Sequence, residues 1–165
     1  MGVQVRRLRE RSGASCLIHA EAFPRQGHSA EWVSCNARAF PRMRYYVAEL
    51  GGRVCGFILW TEKSGFRTQV VLELEQIAVD VTSRKQGVGS ALINTSLPDV
   101  ISHLAERGAK LSAVLVTTRA DNQAQRLYRR ILGAEVEAVV PSLYSALSRA
   151  EGGGWFITWP NLPVA

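Results

Sequence analysis

Between Tyr45 and Val79 the chain is written almost entirely as strand, and any fold it adopts has to be built around that stretch. Tyr45-Tyr46-Val47-Ala48-Glu49-Leu50 and Arg53-Val54-Cys55-Gly56-Phe57-Ile58-Leu59-Trp60 are β-rich runs separated only by Gly51-Gly52, which supplies the positive φ that a tight hairpin needs. A third run, Gln69 to Val79, joins through Lys63-Ser64-Gly65. It alternates Val71/Glu73/Glu75 against Val70/Leu72/Leu74 and ends apolar at Ile77-Ala78-Val79. A three-strand antiparallel meander is expected.

The flanks read differently. Val3, Val5 and Leu8 suggest a short opening strand. Ser12-Gly13 can begin a helix with Cys16, Leu17, Ala20 and Phe23 on its apolar face, stopped by Pro24. A second helix is expected from Ser29 as N-cap through Trp32, Val33, Asn36, Ala37 and Phe40 to Pro41. Beyond the meander, Val88, Ala91, Leu92, Leu97, Ile101, Leu104 and Ala105 mark a long helix ending at Arg107-Gly108, with Pro98 placed to kink or divide it. Leu111–Val116 is a continuous apolar strand. Asp121 or Asn122 can then cap a helix through Ala124, Leu127, Tyr128, Ile131 and Leu132 to Gly133. Strand, helix, strand, helix implies one parallel pair. Val136–Val140 and Trp155–Trp159 read as closing strands. The 165 residues carry no internal repeat or linker, so one domain spanning residues 1–165 is expected.

Composition narrows the function classes. Hydrophobic residues at 47% and charged residues at 21% describe a globular chain, not a disordered one. Lys and Arg outnumber Asp and Glu by 20 to 14, a net charge of +6 that favours an anionic partner. The basic residues are spread along the chain with no polybasic tail, which disfavours nucleic acid and leaves a phosphate-bearing cofactor, an acidic substrate or simple solubility open. Cys16, Cys35 and Cys55 have no C-x-x-C spacing and read as reduced, small buried hydrophobes. His19, His28 and His103 are isolated, so no metal is proposed. No targeting or membrane-spanning segment is apparent, and a cytoplasmic location is expected.

The chemistry concentrates in Val79-Asp80-Val81-Thr82-Ser83-Arg84-Lys85-Gln86-Gly87-Val88-Gly89-Ser90-Ala91-Leu92, where a strand passes through a basic, glycine-containing turn into a helix. The first turn of a helix leaves N–H groups unpartnered at its positive end, and glycine lets an anion approach the backbone. Neither a P-loop nor the dinucleotide G-x-G-x-x-G is present. Arg84-x-x-Gly87-x-Gly89 instead resembles the acyl-CoA pyrophosphate loop, Q/R-x-x-G-x-G/A, of the GNAT superfamily of N-acetyltransferases. Asn122-Gln123-Ala124-Gln125-Arg126-Leu127-Tyr128-Arg129-Arg130-Ile131-Leu132-Gly133-Ala134 is similar to that family's N-x-x-A-x-x-L-Y-x-x-x-G-F, with Ala134 in place of the aromatic. The likeness in element order runs from Val3 to Trp159.

The resemblance implies an α/β (α+β) fold: a mixed, mostly antiparallel sheet of six to seven strands with about four helices, splayed where the third meander strand and Leu111–Val116 part. Acetyl-CoA would lie in the gap as co-substrate. Backbone groups of Ile77, Ala78 and Val79 would bind its pantetheine arm. Arg84, Lys85, Gln86, Gly87, Val88, Gly89 and Ser90 would hold the pyrophosphate, and Asn122 would orient the pantetheine or cap its helix. Tyr128 would protonate the departing thiolate or hydrogen-bond it, and Glu73 or Glu75 would take the amine proton, directly or through water. Two apart on one strand, the two glutamates share a sheet face, and a β-bulge there would change which one faces the cleft. The implied partner is a primary amine on a small molecule or peptide. Thr117 stands where ribosomal-protein N-terminal acetyltransferases carry Glu, which weakens that particular acceptor. Trp32, Tyr45, Tyr46, Trp155 and Trp159 are candidates for the acceptor pocket or for the core. A homodimer is the default assembly. The rival function is a CoA-sensing or nucleic-acid-binding module that kept the fold without catalysis.

Overall fold

The computed structural model describes residues 2–10, 12–63, 65–119, 121–140 and 154–158. In chain order these form β1 (Gln4–Arg7), α1 (Gly13–Ala22), α2 (Ser29–Arg38), β2 (Met43–Leu50), β3 (Arg53–Glu62), β4 (Gln69–Val79), one 3₁₀ turn (Val81–Ser83), α3 (Val88–Glu106), β5 (Lys110–Arg119), α4 (Gln125–Leu132), β6 (Glu135–Val140) and β7 (Gly154–Thr158). The strands make one mixed sheet in the order β1-β2-β3-β4-β5-β7-β6. Every pair is antiparallel except β4 with β5. The expected meander is β2–β3–β4, turning at Gly51 and Gly52 with φ of 60° and 78°.

Strand alternation divides the core between the two faces of the sheet. Tyr46, Ile58, Trp60, Leu72 and Leu74 pack with Leu92, Val100 and Leu104 of α3 and with Tyr128 and Leu132 of α4. Tyr45, Val47, Phe57 and Leu59 face the other way, onto Ile18 of α1 and Val33 and Ala37 of α2. Tyr45 and Tyr46 are therefore core residues, one on each face. Gly56 lies where β3 closely approaches both β4 and α3: a Cβ there would lie 2.9 Å from the Ala78 carbonyl oxygen and 3.2 Å from Val88 Cγ1.

Several local expectations change. Pro98 does not divide its helix: α3 runs unbroken over 19 residues with Pro98 inside. The carbonyl deprived of an N–H partner is that of Asn94, and both residues are exposed, so water can replace the missing donor. Helix α1 is rotated relative to its apolar pattern. Leu17 is 74% exposed, while Ser15, Ile18 and His19 are buried. The first residue of α2 is Ser29, and the capping position is His28 in the left-handed region, without a side-chain cap. Likewise Ala124 occupies the cap position of α4. Cys35 is exposed, unlike buried Cys55, and all three thiols are free.

A buried ionic cluster had no signature in the sequence. Glu62, with its side chain 0% exposed, pairs with Arg44 at 3.7 Å and with Arg107 at the end of α3. Tyr144 and Trp159 lie outside the described residues, as does residue span 141–153. No helix among the described residues is long and apolar enough to cross a membrane.

Candidate active site

The site is made where the sheet comes apart. Parallel pairing between β4 and β5 runs from Gln69↔Lys110 to Leu74↔Val116 and stops there. Beyond it, Thr117, Thr118 and Arg119 of β5 pair with Phe156, Trp155 and Gly154 of β7, while Gln76 to Val79 of β4 pair with β3 alone. Among the described residues, the edge of β4 that faces β5 thus has no ladder partner over Glu75–Val79, although backbone N–H and C=O groups require partners. A cleft of about 1070 Å³ occupies this gap. Its lining includes Phe23, Arg25, Gln26 and Trp32 from the α1–α2 side, Lys63 at the end of β3, Glu73–Ile77 of β4, Leu115 and Thr117–Arg119 of β5, and Asn122 and Tyr128.

A bulge sets what β4 presents. Leu59 pairs with Gln76 and Trp60 with Leu74, which leaves Glu75 as the extra residue. An inserted residue reverses the alternation beyond it. Leu72 and Leu74 face α3, but after the bulge it is Ile77 and Val79 that pack on that core, while Ala78 joins the α1–α2 core. The two glutamates consequently differ in circumstance. Glu73 is engaged on both oxygens, accepting from Thr117 Oγ1 at 3.2 Å and pairing with Lys63 Nζ at 2.7 Å. Glu75 lines the cleft with no hydrogen bond or ion pair among the described residues. Sequence spacing could not separate them, because the bulge is a property of β3–β4 register.

Gln76, next along, ties the cleft wall to the sheet. It is 6% exposed. Its Oε1 accepts from Trp32 Nε1 at 2.9 Å, and its Nε2 donates to Gln26 Oε1 at 3.1 Å and to His19 Nε2 at 3.4 Å. An amide nitrogen can only donate, so His19 Nε2 is the acceptor and His19 Nδ1–H donates to Ser29 Oγ, 2.9 Å away. Burial lowers the His19 pKa, opposed by hydrogen bonding with Gln26. This cluster explains the rotation of α1: a polar ring is turned inward because it finds partners there, something hydrophobic periodicity cannot register.

At the far end of the gap, the turn from β4 into α3 has the form of an anion cradle. Lys85 and Gly87 both have positive φ, 62° and 81°. Asp80 accepts from the Thr82 amide and hydroxyl, contacts that hold its carboxyl below the ordinary value. The first amide of α3 bonded in helical fashion is that of Ala91, to the Gly87 carbonyl at 2.9 Å. The N–H groups of Val88, Gly89 and Ser90 precede it and have no intrahelical acceptor. Arg84 folds back so that Nε donates to the Val79 carbonyl, and Gln86 Nε2 donates to the Thr82 carbonyl. Val79 oxygen thus has one partner already and one lone pair left. Arg130 of α4 donates to Ser90 Oγ at 3.0 Å, adding a guanidinium beside the turn that the motifs did not point to. A Cβ on Gly89 would lie 3.1 Å from Leu127 Cδ2, so this glycine also lets α3 and α4 meet.

Asn122 is occupied locally. Its Oδ1 accepts from the Ala124 amide at 3.0 Å and its Nδ2 donates to Thr118 Oγ1 at 2.8 Å, which orders the β5–α4 turn. Tyr128 is 4% exposed and lies in the cleft lining between β5 and α4. Among the aromatic candidates, Trp32 lines the cleft. Trp155 lies in β7, of which only the backbone is described. No group of three or more His, Cys, Asp or Glu side chains among the described residues is placed to hold a metal ion.

A strand edge is released beside a glycine-containing helix turn, with a tyrosine in the gap, and comparison with known families gives this arrangement its context. Residues 14–134 match the acetyltransferase (GNAT) family. The chain belongs to that family. Solved GNAT structures share its fold nearly end to end. Ard1 from Thermoplasma volcanium is 23% identical, with a TM-score of 0.68, covering 98% of this chain and 99% of its own. NAA60 from Arabidopsis thaliana in complex with acetyl-CoA is 17% identical, with a TM-score of 0.70 and coverages of 96% and 98%. An aminoglycoside 6'-N-acetyltransferase complexed with coenzyme A is 15% identical, with a TM-score of 0.71 and coverages of 100% and 99%. At these identities the likeness concerns the fold. Comparison with curated proteins gives no match.

Proposed function

We propose that this GNAT protein moves an acetyl group from acetyl-CoA to a primary amine of a small molecule or peptide, by direct attack within a ternary complex. The observation that carries the reading is the parting of β4 from β5 beyond Leu74 and Val116, next to the Arg84–Ser90 turn. The residues fit the group. Ile77, Ala78 and Val79 offer a free strand edge to an extended pantetheine arm, as an added strand would be received. The amides from Lys85 to Ser90, with the charges of Arg84 and Lys85, suit a pyrophosphate. Acetyl-CoA, when bound, supplies an activated thioester.

The chain's own groups account for the protons. Glu75 accepts a proton from the attacking amine, directly or through one water. Glu73, held by Lys63 and Thr117, supports the cleft wall. Tyr128, a phenol of a type that ordinarily ionises near pH ~10, donates its proton to the departing thiolate. One C–N bond forms and one C–S bond breaks, and the products are an acetamide and the free CoA thiol. Asn122 orders the turn that leads to Tyr128.

Two measurements on the intact protein test this reading. Calorimetry is expected to show CoA binding, and thiol release from acetyl-CoA is expected to depend on an added amine. Absence of CoA binding by folded protein overturns the placement of the site. Tight binding without turnover on any amine favours a CoA-sensing module.

A further inference from the structure

The charges lining the cleft narrow the acceptor, which the proposed reaction leaves open. Among the described residues, five charged side chains line it: Arg25, Lys63, Glu73, Glu75 and Arg119. Lys63 and Glu73 satisfy each other at 2.7 Å. Arg119 is held in a two-point pair by Asp121, at 2.9 and 2.8 Å, just outside the lining. One charge of each sign remains. Glu75 on β4 and Arg25 on the α1–α2 connection make no ion pair among the described residues. Arg25 belongs to the lining on the α1–α2 side, and its charge adds a minor part to the lowering of the Asp121 carboxyl that the Arg119 contacts dominate. The apolar part of the lining is Phe23, Trp32, Leu74, Ile77 and Leu115, beside neutral polar groups that include Gln26, Gln76, Thr117 and Thr118.

We infer that the acceptor is a small amino acid with an apolar side chain, its amine directed to Glu75, its carboxylate to Arg25 and its side chain to Phe23 and Trp32. The inference rests on the acetyltransferase reading and gives its acceptor a chemical class. Guanidinium and carboxylate match in planar two-point geometry, and such charge-assisted bonds are roughly twice as strong as neutral ones. A polyamine or other polycation fits poorly. It would bring several positive charges to a lining with one free carboxylate, among Arg25, Lys63 and Arg119, and like charges brought together are penalised.

The test compares L-phenylalanine with L-phenylalaninamide and spermidine as acceptors in thiol release from acetyl-CoA. The amide differs from the free acid only in lacking the carboxylate, and its amine is the less basic, so reactivity alone favours the amide at neutral pH. Expected is a kcat/KM for phenylalanine at least about tenfold above that for phenylalaninamide, with spermidine slower than both. The Arg25→Gln variant, changed at an exposed loop position, is expected to bring the ratio below about threefold. Turnover of phenylalaninamide or spermidine at rates equal to or above that of phenylalanine overturns the inference and leaves the acetyltransferase reading standing, as does a ratio that Arg25→Gln does not alter. No thiol release with any of the three amines, by protein that binds acetyl-CoA, overturns this acceptor assignment. The reading itself falls only if the wider range of amines also gives none.

Discussion

The two halves of β4 belong to one strand with one alternating sequence, yet they meet different surroundings. From Gln69 to Leu74 the strand is held on both sides, by β3 and by β5. From Glu75 to Val79 it is held by β3 alone. The first half buries Val70, Leu72 and Leu74 against α3, and its one carboxylate, Glu73, is paired with Lys63. In the second half a bulge turns the strand over, an unpaired carboxylate appears at Glu75, and the edge toward β5 is left without a ladder partner. The lesson is about where a fold can place function. A sheet satisfies its backbone by closing its ladders, so a segment left open is available to a ligand, and the rest of the sheet keeps it rigid.

Substitution can break or sharpen this contrast. The largest expected effect is on turnover: Glu75→Gln lowers kcat by about 100-fold, the lower range for loss of a general base, while Glu73→Gln lowers it several-fold at most. Equal losses for the two variants, measured by thiol release at several pH values, would erase the distinction between the halves. Next comes support from beneath. Gly56→Ala places a methyl group 2.9 Å from the Ala78 carbonyl and is expected to cost about 1–3 kcal/mol in urea unfolding. An unchanged midpoint would show that the open half of β4 can shift to accommodate it.

The smallest effect is a pH dependence. Burial depresses the His19 pKa below its ordinary value of 6.5, so the unfolded chain binds more protons than the folded one just below that pH. The stability contributed by neutral His19 is complete above pH 6.5 and is lost as pH falls below it toward the depressed folded value. Urea midpoints of wild type and His19→Gln are expected to converge as pH drops from 7 to 5, on the order of the window set by an unperturbed histidine. Parallel curves would show that His19 does not titrate differently on folding.

Much of this architecture is legible in the amino-acid order. Gly51-Gly52 announces the hairpin, the apolar run at Leu111–Val116 announces the parallel strand, and Arg84-x-x-Gly87-x-Gly89 together with Tyr128 locates the gap. What escapes are features created by contacts between distant segments. Glu75 is singled out by register against Leu59 and Trp60. The inward turn of His19 depends on Gln76, and the buried Arg44–Glu62–Arg107 cluster joins a strand pair to a helix end. Arg130 reaches Ser90 across the α3–α4 packing. Apart from Glu75, each is a polar group whose partner lies dozens of positions away or on another element, and periodicity carries no information about such partners.

The wall formed by Phe23 to Trp32 is fastened to the sheet by the amide of Gln76 and not by a shared ladder. A wall attached through side chains can be rewritten residue by residue while the strands behind it keep their alignment. On the proposed acetyltransferase reading, descendants of this scaffold can in this way change their diet of amines without rebuilding the apparatus that would grip the thioester.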